Sequence, residues 1–189
     1  GSQPTFEGSR MFKLMKLHLS KFNVDANVNL DSATDAFNRI DLVNTSVDIK
    51  NGYKVVGTKD NQNVIAQENP DSNVGSINLV NNGTINLSGK GSSAIYGKFS
   101  TITNNGTIKL GENSTALYGK ADSLMKNTGT ITLGKNSIAM FATEGKDNEV
   151  TNTGTINGNG EKAVGMVFDG KGAGARRINN ASTIDLSGN

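Results

Sequence analysis

The sequence predicts an all-β fold: a right-handed parallel β-helix, a solenoid with coils of about 23–28 residues and three short strands per coil. Three observations carry this expectation. First, the segments beginning at Leu79, Ile102, Met125, Val150 and Ile178 read LVNNGTINL, ITNNGTIKL, MKNTGTITL, VTNTGTING and INNASTIDL. They align Thr84, Thr107, Thr130, Thr155 and Thr183 in one column, at spacings of 23, 23, 25 and 28 residues. Second, another block recurs about nine residues after each threonine: SAIYG from Ser93, TALYG from Thr115, IAMFA from Ile138 and VGMVF from Val164. Third, Gly, Asn, Thr and Ser make up 82 of the 189 residues, while 34% of the sequence is hydrophobic, 5% is aromatic and none is Trp. That composition suits a thin, repeated core wrapped in short turns, not one bulky core.

The period selects among solenoids. Helical repeats need runs of Ala, Leu, Glu and Lys, whereas these units hold Asn-Gly turns and β-branched residues. Leucine-rich repeats need several leucines per unit, and hexapeptide left-handed β-helices need multiples of about six. Parallel strands joined by right-handed crossovers remain.

In sequence order, residues 1–10 read as tag residues, 11–78 as an N-terminal cap with a degenerate coil and a long excursion, and 79–189 as regular coils. Met11 to Leu19 is expected to be a capping strand that covers an open sheet edge. Phe22, Val24, Ala26, Val28 and Leu30 alternate with polar residues and predict a strand. Asp31 or Ser32 can cap a short helix running to Arg39. Val43–Ile49 and Val55–Gly57 echo the two repeat blocks, and 58–76, with Pro70, reads as the excursion.

In the regular coils the expected inward ladders are Leu79, Ile102, Met125, Val150 and Ile178; Ile85, Ile108, Ile131, Ile156 and Ile184; and Leu87, Leu110, Leu133 and Leu186. In the aromatic block, period two puts Ser93 and Ile95, Thr115 and Leu117, Ile138 and Met140, and Val164 and Met166 inside. It puts Ala94 and Tyr96, Ala116 and Tyr118, and Ala139 and Phe141 outside. Asn81, Asn104, Asn127, Asn152 and Asn180 form a polar column. Asparagines stacked about 4.8 Å apart can hydrogen-bond one another and the next turn, and they tolerate a left-handed turn conformation.

The remaining bounds are negative. Nineteen basic and seventeen acidic residues leave +2, too balanced for a nucleic-acid binder. There is no Cys, and His18 is the only His, so a thiolate or multi-histidine metal site is not expected and no cofactor is assigned. No signal peptide is visible, and no stretch approaches the roughly 18 apolar residues of a membrane helix. Polysaccharide-cleaving β-helices need paired carboxylates or an Arg with a calcium-binding Asp cluster. The only dense charge group here is Glu144–Glu149 with Asp169, Arg176 and Arg177, which reads as solvated loops, so the protein is expected to be catalytically inert.

The pattern N-N/T-G-T-I-x-L-G-x-N-S-x-A-Φ-Y-G, as in Thr103–Gly119 and Lys126–Ala142, resembles the passenger repeats of large type V autotransporter adhesins, fusobacterial ones in particular. The resemblance covers 79–189 well and 41–57 weakly. It implies a β-helical stalk at the outer membrane and cell surface, with signal peptide and transporter barrel elsewhere in a longer parent protein. It also implies a role in host-cell or interbacterial binding, toward a surface protein or glycan, with no nucleic-acid partner. The repeat motif is scaffold and brings no binding residue with it. A non-binding spacer is the alternative.

Candidate contacts therefore come from the residues themselves. Tyr96, Tyr118 and Phe141 form an aromatic row that can stack on sugar rings or a protein partner, or instead fold back on Ala and Gly of its own coil. After each aromatic block the connection lengthens, from Lys98–Ser100 and Lys120–Ser123 to Thr143–Glu149 and Asp169–Arg177. Solenoid insertions collect on a binding face. Glu144, Lys146, Asp147, Asp169, Lys171, Arg176 and Arg177 are accordingly candidate partner contacts for what is expected to be a monomer.

Overall fold

The computed structural model describes residues 16–17, 21–32, 40–42, 45–67, 77–145, 147–158, 161–169, 177–180 and 183–186. The protein is a parallel β-solenoid of three seven-stranded sheets, each coil giving one strand to each sheet in turn. The first sheet holds Lys16–Leu17, Ile40–Leu42, Asn63–Gln67, Ser93–Lys98, Thr115–Lys120, Ile138–Thr143 and Val164–Asp169. The second holds Lys21–Val24, Ser46–Ile49, Asn78–Asn81, Thr101–Asn104, Leu124–Asn127, Glu149–Asn152 and Arg177–Asn180. The third holds Val28–Asn29, Lys54–Gly57, Thr84–Leu87, Thr107–Leu110, Thr130–Leu133, Thr155–Gly158 and Thr183–Asp185.

Register follows the repeat. Thr84 pairs with Thr107, Thr107 with Thr130, Thr130 with Thr155 and Thr155 with Thr183. Leu79, Ile102, Val150, Ile85, Ile108, Ile131, Ile156, Leu87 and Leu133 are fully buried, so the expected ladders of the second and third sheets form the core. Gly158 faces the core at the leucine column, where the Leu186 side chain packs against it.

The first sheet departs from strict alternation. Ala94 and Ile95 are both fully buried, as are Ala116 and Leu117, and Ala139 and Met140. Ser93, Thr115 and Ile138 are half-buried and Val164 is exposed, not inside as period two predicts. Two successive inward residues require the strand to bend, and alanine is small enough to fill the inside of the bend. Gly97 and Gly119 complete the inner face; a Cβ on Gly97 would lie 2.9 Å from Leu79 Cδ1.

The stacking also begins earlier than the repeat motif. Asn63–Gln67 lies within the span expected to be an excursion, yet pairs in register with Ser93–Lys98. Lys21–Val24 pairs with Ser46–Ile49, and Val28–Asn29 with Lys54–Gly57. A 3-10 turn at Leu30–Ser32 follows, while most of the expected helix to Arg39, the tag, His18 and most of the expected capping strand lie outside the described residues.

Each corner buries a polar ladder. Between the second and third sheets, Asn81 Nδ2 donates to Asn104 Oδ1 at 2.9 Å, Asn104 to Asn127 at 2.9 Å, Asn127 to Asn152 at 2.9 Å and Asn152 to Asn180 at 2.8 Å. The same Nδ2 groups reach Gly106 O from Asn104 and Gly129 O from Asn127, within their own turns. None of Asn81, Asn104, Asn127 and Asn152 has positive φ. The column exists for side-chain hydrogen bonding, not for left-handed backbone. The tight Asn-Gly and Thr-Gly turns beside it need glycine for space: a Cβ on Gly106 would lie 2.0 Å from Gly83 O.

Between the third and first sheets the ladder is serine. Gln62 N donates to Ser92 Oγ at 3.1 Å, Ser92 N to Ser114 Oγ at 3.0 Å and Ser114 N to Ser137 Oγ at 3.1 Å. This corner carries one left-handed residue in each coil, at Asn61, Gly91, Asn113, Asn136 and Lys162. Between the first and second sheets, Ser100 N donates to Ser123 Oγ at 3.1 Å and Ser123 N to Asn148 Oδ1 at 2.9 Å.

Two substitutions test this arrangement. Ile131→Asp places an unpaired carboxylate between coils and is expected to lower stability by several kcal/mol. Asn127→Ala strands the buried Asn152 acceptor and one Asn104 donor bond, and is expected to cost about 1–3 kcal/mol. Denaturant midpoints measure both; unchanged midpoints would contradict the stacking.

Candidate functional site

The aromatic row lies on the outer face of the first sheet. Tyr96 pairs in register with Tyr118, and Tyr118 with Phe141. Their ring centroids are 5.0 Å apart at both steps, at interplanar angles of 67° and 38°. The rings pack on each other across coils and remain half-buried. The rings therefore form a continuous stack across coils and are not isolated stacking platforms. Edge-to-face and tilted aromatic pairs at such distances stabilise by about 0.5–1.5 kcal/mol beyond area burial. Ala66 precedes the row and Val167 continues it.

The row is bordered by Lys98 and Lys120, register partners at the strand ends, and beyond them by the corner between the first and second sheets. Connections here vary in length: 99–100, 121–123, 144–148 and 170–176 in the later coils, but also 68–77 earlier. The excursion before the regular coils therefore leaves at this same corner. Phe99, Ala121, Asp122 and Glu144 all have positive φ, which lets the backbone turn sharply without glycine at each position.

Among the candidate contacts, Glu144 is exposed, with Oε2 3.7 Å from Lys120 Nζ. Asp147 is exposed, and its backbone amide donates to Asp122 Oδ1 at 2.8 Å, tying one coil's connection to the next. Asn148 Nδ2 donates to Glu144 O and closes the loop on itself. Asp169 is half-buried at the end of its strand, in register with Thr143. Arg177 is placed as strand backbone opposite Glu149. Lys146, Lys171 and Arg176 lie outside the described residues. The structure thus brings together Lys120, Asp122, Glu144 and Asp147 beside the aromatic row.

Three features were not anticipated from sequence. At the corner between the third and first sheets, Asp60, Lys90, Glu112, Lys135 and Glu161 form a column of alternating sign. Lys90 N donates to Asp60 Oδ1 at 2.9 Å, and the ammonium–carboxylate distances are 3.7 Å for Lys90–Glu112 and 3.9 Å for Lys135–Glu161. The alternation is legible three residues before the start of each SAIYG-type block, once that column is aligned. On the outside of the Asn corner, Thr128 Oγ1 donates to Asn105 Oδ1, Asn105 Nδ2 to Asn82 Oδ1 and Asn82 Nδ2 to Asp48 Oδ1, at 2.6, 2.9 and 2.8 Å. Third, the Asp31 carboxylate accepts from the Thr58 amide and hydroxyl and from Gln62 Nε2, the last at 2.9 Å. Burial by itself would raise the Asp31 carboxyl, but hydrogen bonds from the Thr58 hydroxyl and amide, from Gln62 and from the Lys59 backbone outweigh it and hold the group below its ordinary 3.8.

Among the described residues no group of three or more His, Cys, Asp or Glu side chains is placed to hold a metal ion, and no helix is long and apolar enough to cross a membrane. No protein-family model, curated protein or solved structure matches the sequence.

A lowered folded-state value means the unfolded protein takes up the proton first. Asp31 therefore stabilises the fold above pH 3.8, and that contribution is lost as the pH falls through its folded value. Asp31→Asn is expected to lower the melting temperature at neutral pH and to flatten its decline on acidification. Melting curves of both proteins through the acid range measure this; parallel curves would contradict it.

Proposed function

We propose that this protein is a segment of a bacterial surface autotransporter passenger, acting in adhesion to a host-cell or bacterial surface protein or glycan. The repeat pattern shared with such passengers supports the class. The observation that carries the binding reading is the half-exposed row Tyr96–Tyr118–Phe141 on the outer face of the first sheet, beside the corner where connections lengthen. Aromatic side chains offer much contact area at low entropic cost, and the charged Lys120, Glu144 and Asp147 beside them supply polar contacts. In this reading the protein stands at the cell surface and is held to the membrane by a barrel elsewhere in its parent.

A spacer role has its own support. The three corner ladders continue from coil to coil with little change, which makes a stiff rod whatever its outer residues are. The two readings separate in one experiment. Binding to cells and to a glycan array is measured for the protein and for the combined Tyr96→Ser, Tyr118→Ser, Phe141→Ser variant, with melting curves beside them. Adhesion through the row predicts at least a tenfold loss of binding in a variant that remains folded, since about 1.4 kcal/mol of lost contact is tenfold. Absence of any binding by the unsubstituted protein favours the spacer.

A further inference from the structure

The sequence contains five Asn-Gly pairs; Asn159-Gly160 lies outside the described residues, and the structure treats the other four unequally. In such a pair the glycine amide nitrogen can attack the asparagine Cγ, because no Cβ on the following residue obstructs the approach. The new N–C bond closes a five-membered imide, the Cγ–Nδ2 bond breaks, and ammonia leaves with the proton from the glycine amide. Water then adds to either imide carbonyl and opens the ring to aspartate or isoaspartate. No enzyme, metal or oxidant is required. What limits the reaction in a folded protein is whether the carboxamide and the glycine nitrogen are free to approach each other.

At Asn82-Gly83 and Asn105-Gly106 they are held. Asn82 donates to Asp48 and accepts from Asn105, and Asn105 accepts from Thr128. Gly83 N donates to Asn81 Oδ1 at 3.2 Å and Gly106 N to Asn81 O at 3.0 Å. Both glycines are also wedged between coils: a Cβ would lie 2.3 Å from Tyr53 O at Gly83 and 2.0 Å from Gly83 O at Gly106. Asn157-Gly158 is fixed inside the strand Thr155–Gly158, with Gly158 buried.

Asn51-Gly52 differs in every respect. It occupies the middle of a turn closed by Tyr53 N donating to Lys50 O at 3.2 Å. Gly52 has φ +92°, as the third position of a type II turn requires, and nothing lies within 4 Å of its missing Cβ. Both residues are exposed, and the Asn51 carboxamide has no hydrogen-bond partner among the described residues. The ends of the turn are anchored to neighbouring coils, with Lys50 N donating to Val24 O at 3.0 Å and Thr84 N to Tyr53 O at 2.9 Å, while the Asn51-Gly52 unit between them projects into solvent.

We propose that, among the four Asn-Gly pairs within the described residues, Asn51-Gly52 is the one that deamidates spontaneously in the folded solenoid, and that the hydrogen-bonded series Asp48–Asn82–Asn105–Thr128 protects the equivalent Asn-Gly turns of the next coils. Conversion adds a carboxylate next to Lys50, whose ammonium pairs with Asp48 at 2.9 Å. It lowers the net charge by one and inserts either an ordinary or an isomerised backbone unit at a solvent-facing turn. Turn geometry alone supports this site, independently of any adhesive role.

The test is incubation of the folded protein at mildly alkaline pH, followed by peptide mapping with mass spectrometry that resolves aspartate from isoaspartate. A denatured sample and the Asn51→Gln variant run in parallel. Expected is an amide-to-acid mass gain at residue 51 at least tenfold faster than at residues 82, 105 and 157, with the four rates converging in the denatured protein. Asn51→Gln is expected to remove that product while leaving the melting temperature unchanged. Equal rates at 51, 82 and 105 in the folded protein, or an intact Asn51 while the denatured sample deamidates, would overturn the proposal.

Discussion

Each regular coil of this protein turns three corners, and there it must bury backbone amides and carbonyls that no sheet ladder can satisfy. That requirement organises the rest. A buried unpaired amide or carbonyl costs as much as a lost hydrogen bond, and the cost would recur at each corner of every coil. The solution is the same in kind three times over: a short polar side chain points inward at the corner and bonds to the coil above or below. Asparagine serves between the second and third sheets, serine between the third and first, and serine with Asn148 between the first and second. Because each ladder bonds between coils, it fixes register as well as satisfying polarity, and the apolar columns then fall into line. The core is thin, one or two side chains deep from any sheet, so misregister by one residue would turn all of them outward.

The parts of the fold legible in the sequence are those where corner and strand signals coincide. Asn-x-Gly-Thr-Ile-x-Leu carries a corner asparagine, a turn glycine and two inward side chains, and its columns stand in the structure as read. A serine column, Ser92, Ser114 and Ser137, stands one residue before the first three aromatic blocks and ends at Ala163 before the fourth, but serine is common in turns and its burial leaves no trace in composition. The double-inward Ala-Ile of the first sheet was missed because period two assumes an unbent strand. The early coils were obscured for a physical reason too. Their second sheet places Val24 and Ile49 where the later coils have asparagine, and their turns, such as 50–53, are longer, so the motif is absent while the stacking is intact.

The exterior obeys weaker rules, and that is why the candidate site was only partly legible. The aromatic row was visible as a column, yet its ring-on-ring packing depends on rotamers that a sequence does not state. The alternating column Asp60, Lys90, Glu112, Lys135, Glu161 is instructive on the same point. Each exposed pair contributes little stability alone. Adjacent coils, however, meet with opposite charges, whereas a coil stacked one repeat out of place would meet its own sign: Lys90 would face Lys135, and Glu112 would face Glu161. In a protein whose repeats share so much of their core, the apolar columns cannot by themselves distinguish the correct neighbour from the next one. Surface charge can, at small cost, because like charges brought together are unfavourable even where opposite charges gain little.

The division between inside and outside has a functional consequence. Register and stacking are determined by residues that point inward at corners and faces, so outward positions and connection lengths can change without disturbing the solenoid. The corner between the first and second sheets shows how. Its connections range from 99–100 to 144–148, yet Ser100, Ser123 and Asn148 hold one column throughout. Where an inserted residue would separate the ladder, serine gives way to the longer asparagine, and Asn148 bridges back to Ser123 N while closing its own loop on Glu144 O. Variation is thus confined to a place where the backbone has already been satisfied, next to the aromatic row. A rod that tolerates change at one corner while remaining rigid along its length can carry a recognition surface without rebuilding its core.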